Sequence, residues 1–451
     1  MSTSHRDGQW AGHQRPLAAA LALMLGTTAG AIEVKTAPVG NVIVVNNCND
    51  SGAGSLRETI ASAGNGFVID MGGLDCSTIT LTSGSIAVHQ ESLHLHGPGA
   101  DALEIDGNFN DRVFVHDADG VLDIEGVTVG RGKYFSNVAD ARGGCIVSAG
   151  SVTLTDAAIV DCVLVGRDDA LVRGGGVTTQ GNLSLIRSTL SGNTVIGSNT
   201  GAIANAEGGG AVVFGTLNCK YSVISGNAAI PGEDRNTSGG AFQTFGSVVI
   251  GGSTLSGNYA TSDGAITIQG SSGSAVIFNS TISGNSANST SAIYTQLPLT
   301  VANSTIAFNR ALFHRGALYS QHSPLVLQST IIAGNELLGI GESADVTGTD
   351  ATVVSGSNNL ITSSNIELPA DTITDCPRLA PLADNGGPTR THALRNDSPA
   401  IDAGNNVNDL DLDQRGEPRV AGAVADIGAY EWQQSVDEFL LASGFEPVCD
   451  Q

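Results

Sequence analysis

Aromatic residues supply only 4% of the 451-residue chain, and tryptophan occurs twice, at Trp10 and Trp432. No core filled by large rings can be built from that stock, nor a tryptophan-lined sugar platform. Lysine is nearly missing, present only at Lys35, Lys133 and Lys220, and 20 Lys and Arg against 44 Asp and Glu give a formal charge of -24. Such a chain repels phosphate backbones and anionic bilayers at long range, and no basic run reverses this locally, so nucleic-acid binding is excluded. Long apolar runs are missing too. The stretch from Leu17 to Leu25 is too short to span a bilayer as a helix of about 20 residues, nothing comparable follows, and no transmembrane segment is expected.

That short run is flanked by Arg6 and Arg15 before it and by Ala29-Gly30-Ala31 after it, which reads as a secretory signal over residues 1–31. An exported chain favours disulfides, and none of its seven cysteines forms a close pair of zinc-ligand spacing. Cys48 with Cys76 and Cys145 with Cys162 are the near-sequence pairs, whereas Cys219 falls where other repeats carry Leu185 and Ile250 and reads as a buried thiol. Connectivity beyond this stays open.

What is abundant is glycine, 59 residues, and self-similarity. The string Ser-Thr-Ile/Leu-Ser-Gly-Asn recurs at Ser188–Asn193, Ser253–Asn258 and Ser280–Asn285, with variants ending at Asn227, Asn309 and Asn335, so that the asparagines are spaced 24 to 34 residues apart. A second landmark, Gly-Gly-Ala or a relative of it, recurs at Cys145, Gly176, Ala211, Ala241, Ala265, Ala292 and Ala317. Between these lie runs of about five alternating residues broken by Gly, Asn and Ser, the pattern of strands and turns. No run from 64 to 360 sustains helical periodicity, so helical crossovers cannot link the strands. Short parallel strands must follow one another around a coil. The expected fold is all-β, a parallel β-helix of roughly ten to twelve coils stacked at about 4.8 Å, in which equivalent residues form ladders.

In such a coil the recurring Asn193, Asn227, Asn258, Asn285, Asn309 and Asn335 form a structural ladder, each amide donating to and accepting from the next coil. Gly174-Gly175-Gly176 and Gly208-Gly209-Gly210 precede no helix, which sets aside a nucleotide loop. The ends need covering. Ser55-Leu56-Arg57-Glu58-Thr59-Ile60 reads as a capping helix with Ser55 as N-cap, Glu58 closing a capping box, and Leu56 and Ile60 against the first coil. The expected division is a signal over 1–31, an N-terminal cap over 32–75, repeats over 76–365, a C-terminal cap over 366–432 and a tail over 433–451.

Three stretches resemble known families. The Gly-Gly-Ala and Ile-x-x-Asn repeats across roughly 140–335, such as Ser304–Asn309, are similar to those of the polymorphic outer-membrane proteins, which implies a right-handed β-helix at the cell surface. CNDSGAGSLRETIASA from Cys48 resembles the CSLREA-type N-terminal module, with Gly54 where that family has its Cys. LAPLADNGGPTRTHALRNDSPAIDAG, followed by DQRGEPR and DIGAYE, is similar to the choice-of-anchor Q domain. The end of the chain, LLASGFEPVCDQ, resembles a Gly-Phe-Glu signature of exported Gram-negative proteins. The stretch after the repeats leaves no room for an autotransporter barrel.

Several constellations could carry chemistry. Asp168, Asp169 and Arg173, with Asp161, Arg167, Asp140 and Arg142 nearby, could serve a glycosidic bond as a carboxylate pair, against a solvated charged loop. Arg142 and Arg173 hold the same repeat position and should stack. His94 and His96 alternate with inward Leu93 and Leu95, so they are expected outside, where His116 one coil on could complete a zinc site. Asp409, Asp411 and Asp413 before Gly416 space oxygens as a calcium loop would, although an EF-hand's final Glu is missing. Tyr294 and Tyr319 share one outward repeat position, and Gln180, Gln269, Gln296 and Gln321 share another two residues on. These should form ladders beside His314, Arg315 and His322 that present rings and amides to a glycan or peptide.

No glycanase motif stands in the repeat. The reading that follows is an exported or cell-surface β-helix of adhesin or binding type, without demonstrable catalysis, whose partner is an extracellular glycan or surface protein and whose binding residues are Tyr294, Tyr319, Gln296 and Gln321. No cofactor is expected beyond a weak calcium candidate. The alternative is a polysaccharide lyase or glycoside hydrolase of the parallel β-helix class.

Overall fold

The computed structural model describes residues 41–433 apart from 137–139, 168–170, 199–204, 233–235, 314, 340–343 and 407–408. The signal and the tail expected at the two ends lie outside these residues. Within them the chain is a right-handed parallel β-helix with three long sheets of twelve, eleven and ten strands, joined in the order twelve, eleven, ten around each coil. Residues 151–179 illustrate one coil. Ser151–Thr155 lies in the twelve-stranded sheet, Ala158–Val160 in the eleven-stranded sheet and Val177–Thr179 in the ten-stranded sheet.

Each strand puts alternate side chains inside, and parallel register stacks them: Leu185, Cys219 and Ile250 follow one another in the same inward column, all 0% exposed. Each such aliphatic side chain contributes about 1.5–3 kcal/mol by leaving water, so the core is a line of small equal contributions. Cys219 is a free thiol, while Cys48–Cys76 and Cys145–Cys162 are disulfides and Cys376 is disulfide-bonded as well.

The corners are held by two polar columns. Each ladder asparagine donates through Nδ2 to the Oδ1 of the next, at 2.8–3.0 Å from Asn193 to Asn335. That Oδ1 also accepts from the preceding asparagine's backbone N–H. The backbone N–H of Cys162 starts the column on Asn193, and Asp345 receives the Nδ2 of Asn335 at its end. At the other corner of the same strands Ser188, Ser222, Ser253, Ser280 and Ser304 form a second column, each hydroxyl oxygen accepting the backbone N–H of the preceding serine. The Gly-rich landmark is packed as tightly as it must be. Gly174 has φ +77°, and a Cβ on Gly175 would sit 2.2 Å from the carbonyl oxygen of Gly209. The Gly-Gly-Gly strings are therefore places where coils touch.

At the start, the helix Leu56–Ser62 buries Leu56 and Ile60 completely, and the Ser55 hydroxyl accepts the N–H of Glu58. The Ser55 N–H instead donates to the Gly52 carbonyl, so Ser55 supplies the cap through its own side chain. At the far end Ile366 and Leu368 pack on the core and Ile373 pairs with Leu360. The chain then turns back. Most of the segment expected to cap the end lies on the flank, over the outer face of the eleven-stranded sheet, from Ser329 and Gly428 back to Thr254 and Arg390. That face can be covered because it is small and polar: Thr254, Thr281, Ser283 and Thr305 bond to the Arg390 carbonyl, Gln414, His392 and the Ala429 N–H. Tyr430, Ile427, Leu394 and Leu379 form a second apolar cluster there with Ile331 and Leu360. Among the described residues no helix is long and apolar enough to cross a membrane.

Candidate functional site

From about residue 133 the corner between the eleven- and ten-stranded sheets is drawn out into a lateral wing of two four-stranded sheets, one built from Lys133–Ser136, Val163–Gly166, Thr194–Ile196 and Ala228–Ile230, the other from Ala141–Arg142, Val172–Arg173, Ala206–Glu207 and Thr237–Ser238. The wing has its own small core of Ala141, Leu164, Val172, Val195, Ala206 and Ala229. Alternation then dictates that the residues next to Ala141, Val172, Ala206 and Thr237 point away from that core. They form the column Arg142, Arg173, Glu207, Ser238, continued by bridges to Asp263 and Thr290. The outer face of the ten-stranded sheet carries the column Thr178, Val212, Gln243, Thr267, Tyr294, Tyr319.

A cavity of about 240 Å³ opens to solvent between these columns, lined on the wing side by Asn205, Glu207, Asn236 and Ser238, then by Asp263, and on the other by Gln269, Tyr294 and Arg315. Its wall residues are hydrogen-bonded to their neighbours. Arg173 Nε donates to Glu207 Oε2 at 2.9 Å, and Ser238 Oγ donates to Gln243 Oε1 at 2.8 Å. Asp263 is 6% exposed and accepts the Thr267 hydroxyl at 3.1 Å. Burial pushes its carboxyl up to about 6, against the opposing pull of that hydroxyl and of the Arg315 charge. Arg315 lies over the Tyr319 ring, 4.0 Å from its centroid, and 5.8 Å from that of Tyr294.

The tyrosines stack as the repeat predicts, centroids 5.8 Å apart. They do not present their rings: Tyr294 is 8% and Tyr319 9% exposed, because the Arg315 guanidinium covers them and Gln296 and Gln321 bind the Tyr294 hydroxyl. The amides are what faces outward. Gln296 donates to Gln321 at 3.0 Å. The glutamine column does not reach Gln180 unbroken, since Phe214 and Phe245 occupy the intervening positions and stack at 5.0 Å, with Arg142 and Arg173 over Phe214. Sequence reading took the tyrosines as the site and passed over the column from Arg173 to Asp263. The signal was present in the shared spacing of Arg142 and Arg173, one step short of Glu207.

Of the loop candidates, Asp168 and Asp169 lie outside the described residues, as does His314. Arg142 and Arg173 stack in register and hold Asp140 between them. Burial works against the Asp140 charge, but the two guanidinium groups keep its carboxyl below the usual range. Arg173 is thus committed to two carboxylates. His94 points outward as alternation requires but is only 7% exposed, because Asp123 and Glu125 of the next coil close over it at 2.8 and 3.2 Å. His96 pairs with Asp70, and His116 sits on the ten-stranded sheet, buried between Ser148 and the Gln90 carbonyl. Parity places a side chain on a face, and one coil's difference in sheet separates the third histidine from the other two. Asp409 and Asp411 are exposed while Asp413 turns inward, its oxygens taken by Arg415 and by the N–H groups of Arg415, Glu417 and Glu431. The three do not converge.

No protein-family model matches the chain and no curated protein matches it, so the family resemblances rest on their motifs alone. Among solved structures the chain is similar to pectate lyase Pel9A, with a TM-score of 0.52 and 16% identity over 87% of this chain and 96% of that one. At that identity the likeness concerns the parallel β-helix itself.

Proposed function

We propose that this chain is an exported β-helix of binding type that engages an extracellular saccharide in the cavity between wing and ten-stranded sheet. The observation that carries this is the lining: nearly every side chain is an amide, hydroxyl, carboxyl or guanidinium, with Glu207, Ser238 and Gln269 held by hydrogen bonds to Arg173 and Gln243. Sugar hydroxyls need such convergent donors and acceptors. At about 240 Å³ and open to solvent, the site is smaller than the roughly 300 Å³ at which enclosed small-molecule pockets begin, which suits one unit of a longer chain running along the axis. The Gln296 and Gln321 amides extend it in that direction. Export and a cell-surface location are supported by the signal-like N-terminus and by the resemblance to polymorphic outer-membrane repeats.

A second reading, a lyase or hydrolase acting on a polysaccharide, is favoured by the Asp263 carboxyl, which burial raises within the same cavity, and by a fold shared with a pectate lyase. Isothermal titration against polygalacturonate, xylan, chitosan and chondroitin sulfate tests the binding reading. Asn236→Ala and Gln269→Ala are expected to weaken the bound polysaccharide at least 10-fold with melting unchanged. Binding that both variants keep at full strength would place the site elsewhere.

A further inference from the structure

Resting on that saccharide-binding reading, we propose that the cavity also hydrolyses its ligand, with Asp263 protonating the glycosidic oxygen and Glu207 activating the attacking water. The two carboxyls stand in one column, on the same face, with only Ser238 between them. Their backbones are therefore two strand spacings apart, about 9.6 Å. A small serine at the middle position, its hydroxyl turned aside to Gln243, leaves the gap that the cavity occupies. Inverting hydrolysis sets its two carboxyls about 6.5–9.5 Å apart to admit a water beneath the sugar ring, and side chains rising into one cavity from backbones about 9.6 Å apart can reach the upper part of that range.

The two environments differ in the sense the chemistry requires. Glu207 pairs with Arg173 through Oε2, and Oε1 is the oxygen that would take the proton of the attacking water. Asp263 is buried at the wall and accepts the Thr267 hydroxyl. Burial raises the Asp263 carboxyl to about 6, so at mildly acid pH it holds the proton that a general acid must donate. In the step, Glu207 takes a proton from water as the water oxygen bonds to the anomeric carbon. The bond from that carbon to the glycosidic oxygen breaks, and its electron pair takes the proton of Asp263. The products are a hemiacetal of inverted configuration and a free hydroxyl, with Glu207 protonated and Asp263 ionised until solvent resets both. Arg315, stacked on Tyr319, places its charge near the Asp263 carboxylate formed in this step.

The experiment uses the chain with whichever of the four polysaccharides it binds, reading new reducing ends, the anomer formed first by proton NMR, and binding by titration. Asp263→Asn and Glu207→Gln keep shape and are expected to hold the polysaccharide within a few-fold while losing hydrolysis at least 100-fold. Overturning results are a bound polysaccharide that the wild-type chain leaves intact, an unsaturated product, or a folded variant of either residue that still cleaves. Failure of the wild-type chain to bind any of the four removes the preceding reading, and this one with it.

Discussion

Asn258 shows how much one side chain carries. Its Nδ2 donates to the Ile224 carbonyl and to Asn285, and its Oδ1 accepts from Asn227 twice. Asn258→Leu leaves several buried groups unpaired at about 1–3 kcal/mol each, so denaturant unfolding should show a loss of at least that size, whereas an unchanged midpoint would mean the column is dispensable. Tyr319→Ala removes a ring that is buried under Arg315 and against Tyr294. It should lower the melting temperature well beyond Gln321→Ala, since aromatic contacts of this kind add about 0.5–1.5 kcal/mol to the burial itself. Cys219 is silent by the same logic. Burial pushes its thiol up to about 12, so a thiol reagent at neutral pH should label it only at the rate of unfolding. Fast labelling of the native chain would contradict the packing.

At the scale of elements, the segment folded back along the flank contains two groups whose titrations oppose one another. His392 is buried between the Ser283 hydroxyl and the Ala380 carbonyl, and burial lowers it from 6.5 to about 4. It therefore supports docking above pH 6.5, and this support is lost as the pH falls through about 4. Glu431 is also buried, beside Arg419, and burial raises it to about 7. Its contribution is fully present below 4.5 and lost as the pH rises through 7, with Asp426 shifted in the same direction. In the wild-type chain the two slopes offset across pH 4.5–6.5. Hydrogen exchange over residues 377–433 should thus vary little there. In His392→Gln protection should rise as pH falls from 7 to 4.5, and in Glu431→Gln it should decline as pH falls from 6.5 to 4. Parallel profiles in the two variants would show that these groups do not govern docking.

For the whole molecule the governing quantities are a charge of -24 and a length of stacked coils. Like charges repel along the solenoid and salt screens them. Raising ionic strength from 10 to 150 mM should raise the melting temperature, and a lower one would show that the surface ion pairs outweigh the repulsion. Circular dichroism should be dominated by β-structure, because one helix of 7 residues is described. The repeat made the coil, its parallel pairing and the asparagine column legible, since equivalent positions of a solenoid must stack once the period is known. The tyrosine column was legible as a stack but not as a covered one. The covering group, Arg315, comes from a corner loop whose direction no periodicity records.

Periodicity by itself determined the architecture here: alternation set which side chains point inward, and the spacing of Asn and Gly landmarks set the coil, because both are local backbone consequences repeated at every turn. Composition likewise argued against nucleic acid, and among the described residues no helix is long and apolar enough to cross a membrane. Only the tertiary structure decided which outward residues are free. Asp123 and Glu125 close over His94, Arg315 closes over the tyrosines, and the segment after Ile373 covers the flank as well as the end. The cavity belongs to the same class of fact. Its two carboxyls and the small residue between them come from Asp263, Glu207 and Ser238, three residues on successive coils whose nearness arises from stacking across 56 positions of sequence.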